Sequence, residues 1–125
     1  MIDSQALKQR TKLYGLRIIN LVESLPRKRS ADVIGRQLLR CGTSVGANYR
    51  SACRGQSHPD FISKLSIAIE EADESLYRME MLVESELVPE IRLADLMKEG
   101  DEITAILTAS VKTARGRQNK SQEKG

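Results

Sequence analysis

The sequence predicts an all-α fold, an antiparallel up-down four-helix bundle. Apolar residues recur at alternating steps of three and four along four separate stretches, which keeps them on one helix face. Short breaks around Pro26, Gly55 and Pro89 separate these stretches, and short joins make neighbouring helices antiparallel. The aromatic residues are few: Tyr14, Tyr49, Phe61 and Tyr77, with no Trp. A core of Leu, Ile, Val, Ala and Met is expected, which favours helices over a β-sandwich. No strand-like alternation bounded by turn residues and no internal repeat occurs.

The first helix is expected to begin near Asp3 or Ser4, either of which can cap it. Its seam is Leu7, Thr11, Tyr14, Ile18, Leu21 and Leu25, and Pro26 ends it. Arg27, Lys28, Arg29 and Ser30 then form a short basic loop. The second helix starts after Ser30, with Asp32 in the first turn, where a carboxylate favours the helix dipole. Its seam is Ile34, Leu38, Cys41, Val45, Asn48 and Ala52. Gly35, Gly42 and Gly46 lie inside it, each costing about 1 kcal/mol relative to Ala. Glycines kept at that cost imply close approach of a neighbouring helix. Asn48 falls on the seam, where a buried amide needs partners and can fix register.

Gly55 closes the second helix, and Ser57 followed by Asp60 forms a capping-box-like start for the third, with Pro59 in its first turn. Ile62, Leu65, Ile69, Ala72, Leu76, Met79 and Val83 follow steps of 3, 4, 3, 4, 3, 4, with Phe61, Ala68 and Leu82 on one flank. Ile67, Tyr77 and Met81 lie off this stripe. A second apolar face implies a second buried contact, and so an oligomer. Pro89 and Glu90 open the fourth helix, with seam Leu93, Leu96, Gly100, Ile103, Leu107 and Ser110. Gly100 marks either a bend or a stop and restart capped by Asp101. Residues 1–114 thus form the bundle. Residues 115–125 lack apolar side chains and are expected to be a basic disordered tail.

At 125 residues the chain suits one domain that needs no staple. Cys41 and Cys53, if on one helix, are separated by about 18 Å of rise, too far for an internal disulfide. Free thiols, an N-terminus without a secretory signal and the absence of a membrane-length apolar run point to the cytoplasm. Charge is unevenly divided. Residues 1–55 carry eleven Lys/Arg against three Asp/Glu, a net of +8. Residues 56–111 carry four against thirteen, a net of −9, and residues 112–125 carry five against one, a net of +4. Such a division suits nucleic-acid binding or head-to-tail association of subunits.

Catalytic chemistry finds no footing. His58 is the single histidine and sits at a helix start. No His/Cys set has zinc spacing, no Glu-x-x-His pair of the di-iron bundles occurs, and no phosphate-cradling glycine loop is present. Glu70, Glu71, Asp73 and Glu74 point in different directions on a helix and form a solvated acidic face. The expectation is no enzyme, no cofactor and no metal.

The residues that remain are cationic. Arg27, Lys28 and Arg29 lie in a loop, Arg36, Arg40, Arg50 and Arg54 recur along the second helix, and Arg115, Arg117, Lys120 and Lys124 lie in the tail. They can neutralise phosphates of RNA or DNA without reading sequence. The second-helix arginines can equally pair with the acidic third helix. Scarce aromatics argue against base stacking as the main mode.

Several blocks recur in a known order: Leu25-Pro26, Gln37 to Arg40, Thr43 to Arg50, Asp60 to Leu65 and Glu71 to Tyr77. On these the chain resembles the bacterial four-helix-bundle family named for ribosomal-RNA intervening sequences. The resemblance implies a ring-like homopentamer. It also implies kinship with the accessory protein of diversity-generating retroelements, a basic pentamer that binds a reverse transcriptase and nucleic acid. Ser51 stands where relatives often carry an acid, and Arg78 where they often carry an aromatic. The functional expectation is a non-enzymatic, oligomeric nucleic-acid-binding bundle, accessory to an enzyme such as a reverse transcriptase. The alternative is a protein-interaction scaffold with no nucleic-acid role.

Overall fold

A computed structural model describes residues 3–124, with side chains described as far as Lys120. Four helices make up the chain: α1 (Ser4–Glu23), α2 (Arg29–Cys53), α3 (His58–Glu84) and α4 (Glu90–Lys124). Among the described residues there is no strand. Each helix packs on the next, and α4 returns to touch α1 more lightly. The pairs run antiparallel. Gly42 of α2 faces Ile18 of α1 while Gly46 faces Thr11, and Gly100 of α4 faces Leu76 of α3 while Ala114 meets His58.

Helix ends follow local chemistry. Asp3 caps α1, its carboxylate accepting from the Gln5 N–H, and Ser57 caps α3 by accepting from the Asp60 N–H. The cap of α2 differs from expectation. Lys28, not Ser30, holds the extended cap position and offers no side-chain bond, so Ser30 and Arg29 lie inside the first turn. Between α3 and α4 the chain reverses through Glu86, at φ 63°. The Leu87 N–H reaches the Leu82 carbonyl and the Glu86 N–H the Val83 carbonyl, a Schellman closure built without its usual glycine.

The core contains Leu7, Tyr14 and Ile18 from α1, Leu38, Cys41 and Val45 from α2, Leu65, Met79 and Leu82 from α3, and Leu93, Ile103 and Leu107 from α4. Three seams shift in detail. In α2 the interior position is Tyr49, and Asn48 is only half-buried, its amide donating to the Ser44 carbonyl of its own helix. Asn48 is therefore not a register-fixing core amide. A step of four from Val45 to Tyr49 serves as well as a step of three, and the large ring buries more apolar surface. In α3, Ala68, Ser75 and Leu82 are fully buried while Ile69 and Val83 are partly so. In α4, Val111 and Ala114 are buried and Ser110 is only half-buried.

The glycines explain how closely α1 and α2 approach. A Cβ on Gly42 would fall inside the van der Waals envelope of Ile18, and one on Gly46 would lie 3.3 Å from backbone atoms of Thr11 and Lys12. Gly100 does not stop α4, which continues through it. Its missing side chain makes room for Tyr14, whose hydroxyl would lie 2.7 Å from a Cβ there. That hydroxyl bonds Ser75 Oγ at 2.7 Å across the core, joining α1 to α3.

Helix α4 continues past the last buried residue, Ala114, to Lys124. Arg, Gln and Lys are good helix formers, and extending a helix already nucleated by packing costs far less than starting one. Gly125 lies outside the described residues.

Candidate nucleic-acid interface

The antiparallel packing sorts the cationic side chains into three groups. At the end where α1 finishes and α2 begins stand Arg27, Lys28 and Arg29, all exposed, with Arg36 about two turns further on. Arg36 is ion-paired to Asp32 on its own helix. Midway along α2, Arg40 is committed to α3, with Nη2 2.6 Å from Glu74 and Nη1 3.2 Å from Glu71. The Glu74 bond raises the Arg40 pKa, and in return holds the Glu74 carboxyl below its usual range. For Arg36 and Arg40, then, pairing with acids is what the geometry displays.

The opposite end is different. Arg50 and Arg54 occupy the last turns of α2, against the start of α3 and the first turns of α1. Among the described residues neither makes an ion pair within the 4 Å limit for one. They border a shallow cleft of about 530 Å³ between α1 and α2, whose α1 wall supplies Lys8, Lys12, Leu16 and Ile19. Its floor is the glycine crossing, which keeps the two helices close and their outward side chains splayed. A second, more polar hollow of about 610 Å³ continues past Arg50 and Arg54 to Ser57 and Asp60. Asp60 is the one acid at its rim. Arg115, Arg117 and Lys120, all exposed, project beyond this same end on α4, held at its exit by the bond from His58 Nε2 to the Ala114 carbonyl at 2.7 Å.

The eleven cations singled out in the sequence, of which Lys124 lies outside the described side chains, are therefore not one surface. Arg29 and Arg50 are separated by about 32 Å of helix rise. Lys8 and Lys12 were missed, because only the crossing of α1 over α2 brings them beside Arg50 and Arg54. The signal available was Gly46, whose register opposite Thr11 and Lys12 depends on knowing which helices touch.

The acidic surface lies elsewhere. Glu70, Asp73, Glu80 and Glu84 are exposed on α3. On α4, Glu99 and Glu102 each take Arg10 at 2.6 Å, which raises the arginine's pKa and lowers that of Glu99. Among the described residues no three His, Cys, Asp or Glu side chains are grouped as metal ligands, and no helix is long and apolar enough to cross a membrane. Cys41 is buried, Cys53 half-buried, and both are free thiols. Burial pushes the Cys41 thiol up to about 11, away from reactivity.

Comparison with known proteins agrees with this architecture. The family model described as 23S rRNA-intervening sequence protein matches residues 4–109. A crystal structure of a protein of unknown function from the S23 ribosomal protein family of Bacteroides thetaiotaomicron VPI-5482 is 34% identical. The similarity covers 89% of this chain and 99% of that one, with a TM-score of 0.83. No curated protein matches the chain. With four packed helices and a match running from the first turn of α1 deep into α4, the chain belongs to the 23S rRNA-intervening sequence protein family.

Proposed function

We propose that this protein is a non-enzymatic, cytoplasmic, oligomeric bundle that binds RNA or DNA through phosphate contacts. The observation carrying the reading is the unpaired cationic end: Arg50 and Arg54 at the close of α2, with Arg115, Arg117 and Lys120 on the projecting helix. Exposed cations without protein partners are free to displace the counterions of a polyanion, and each phosphate neutralised adds to the salt dependence of binding. The family takes its name from 23S rRNA, so RNA is the first probe. The family resemblance supports a ring of five subunits, which would multiply a modest patch through avidity. It also supports a role as accessory to a reverse transcriptase.

Fluorescence anisotropy with labelled single-stranded RNA, duplex RNA and duplex DNA tests this. Binding is expected at low salt, weakening steeply as salt rises and with little preference for sequence. Absence of binding to all three at low salt would overturn it. The second reading, a protein-interaction scaffold, draws support from Arg36 and Arg40, which are already paired with acids. It expects no nucleic-acid binding and a loss of assembly on charge reversal at these two residues.

A further inference from the structure

Eight large apolar side chains stand exposed among the described residues, and six of them fall on two helices. On α1, Leu13, Leu16 and Ile19 are 55, 51 and 37% exposed. On α3, Ile67, Tyr77 and Met81 are 37, 52 and 39% exposed. Neither set belongs to the core. Tyr14 and Ser75, which do, bond each other across the interior. The outward faces of α1 and α3 must therefore point to opposite sides of the bundle.

The two stripes differ in charge. Along α1 the spacing Lys8, Lys12, Leu16, Ile19 puts cations and aliphatics in one row along the cleft, with Arg50 and Arg54 across from them. Along α3, Ile67, Glu70, Glu74, Tyr77 and Met81 recur at steps of 3, 4, 3, 4, so acids sit within the apolar row. Arg78 lies over the Tyr77 ring, 5.5 Å from its centroid, and beside Glu74. The rows are also similar in length, about 16 Å from Lys8 to Ile19 and about 21 Å from Ile67 to Met81.

We infer that the α1–α2 cleft of one copy receives the outward face of α3 from a second copy. This rests on the oligomeric part of the proposed function and names the surfaces that meet. Leu16 and Ile19 pack against Tyr77 and Met81, and Lys8 and Lys12 face Glu70 of the neighbour, while Arg50 and Arg54 stay turned to the polar hollow that they also line. Because the two faces lie on opposite sides, the contact is head-to-tail. Each copy uses both faces, and the assembly closes as a ring or continues as a filament. A two-fold dimer through either face alone would set like charges against each other.

Light scattering in nucleic-acid-free protein tests this with one variant on each face. Leu16→Glu puts an acid opposite the acidic stripe, and Tyr77→Arg puts a base opposite the basic cleft. Both positions are exposed, so helical circular dichroism is expected to match the parent; Ile19→Glu and Met81→Arg replace any variant that fails this check. Each variant alone is expected to fall to the mass of a single chain. Mixed one to one, they are expected to give a two-chain species and nothing larger, since each retains the face the other lacks. A parent protein that is monomeric, or variants that stay assembled, would overturn the inference. So would a mixture that stays single-chain, or loss of assembly in only one variant, which marks a same-face dimer. RNA binding by the parent is read separately, so the nucleic-acid reading stands or falls on its own.

Discussion

Removing either partner of the Tyr14–Ser75 bond should be costly to different degrees, and the structure fixes the order. Tyr14 Oη lies 2.7 Å from Ser75 Oγ, and Ser75 Oγ lies 2.6 Å from the Ala72 carbonyl. A hydroxyl has one proton. Ser75 spends its proton on the carbonyl, so Tyr14 donates and Ser75 accepts. Tyr14→Phe leaves Ser75 bonded to Ala72 and removes one net hydrogen bond, about 0.5–1.5 kcal/mol. Ser75→Ala leaves the Tyr14 O–H without a partner in a fully buried site, about 1–3 kcal/mol. The double variant removes donor and acceptor together, so it is expected to cost less than the sum of the two singles. Urea unfolding followed by circular dichroism measures all three. If Tyr14→Phe proves the more damaging single change, the assigned proton direction is wrong; if the two effects simply add, the two hydroxyls are not coupled at all.

Further outcomes follow from particular contacts. Burial pushes the Tyr14 phenol up to about 12 from its ordinary value of 10, so its contribution is fully present below pH 10 and lost as pH rises towards 12. Alkaline unfolding should show a loss on the order of 2–3 kcal/mol from this group, and Tyr14→Phe should flatten that part of the curve. Gly42→Ala drives a methyl into Ile18, a buried β-branched side chain with little room to turn, and is expected to destabilise by about 1–3 kcal/mol in the same assay. Gly116→Ala meets nothing within 4 Å and should increase helical dichroism by stabilising the projecting turns, at about 1 kcal/mol. Glu86→Gly relieves a left-handed backbone and is expected to raise the melting temperature, by up to about 1 kcal/mol of stability.

The four helices were legible because local signals agreed with one another. Asp3 and Ser57 were readable as caps, and the steps of three and four marked the buried faces. Where two residues fitted the period equally well, as Asn48 and Tyr49 do, only the neighbouring helices decided between them. Gly100 shows the same boundary. Its reason is Tyr14, 86 positions earlier in the chain, and nothing in the surrounding sequence reports it. The cationic site was half legible. Arg50 and Arg54 could be picked out by composition and Arg36 could be paired with Asp32 by spacing, but Arg40 with Glu74, and Lys8 with Arg50, meet only across helices. Polar composition alone suggested disorder after Ala114, and the described helix runs on to Lys124 because a helix already started on packed residues continues through Arg, Gln and Lys.

The most direct measurement compares the salt dependence of RNA binding for variants at the two ends of the bundle. Arg50→Ala/Arg54→Ala removes two unpaired cations from the cleft end, and Arg27→Ala/Lys28→Ala removes two from the opposite turn. If the cleft end holds the phosphates, the first pair weakens binding and reduces the slope of log affinity against log salt by about 1.4 per binding site on single-stranded RNA. The second pair leaves the slope unchanged. An unchanged slope for the cleft variant, or a reduced slope only for the turn variant, would contradict the assignment of the phosphate-binding surface to that end.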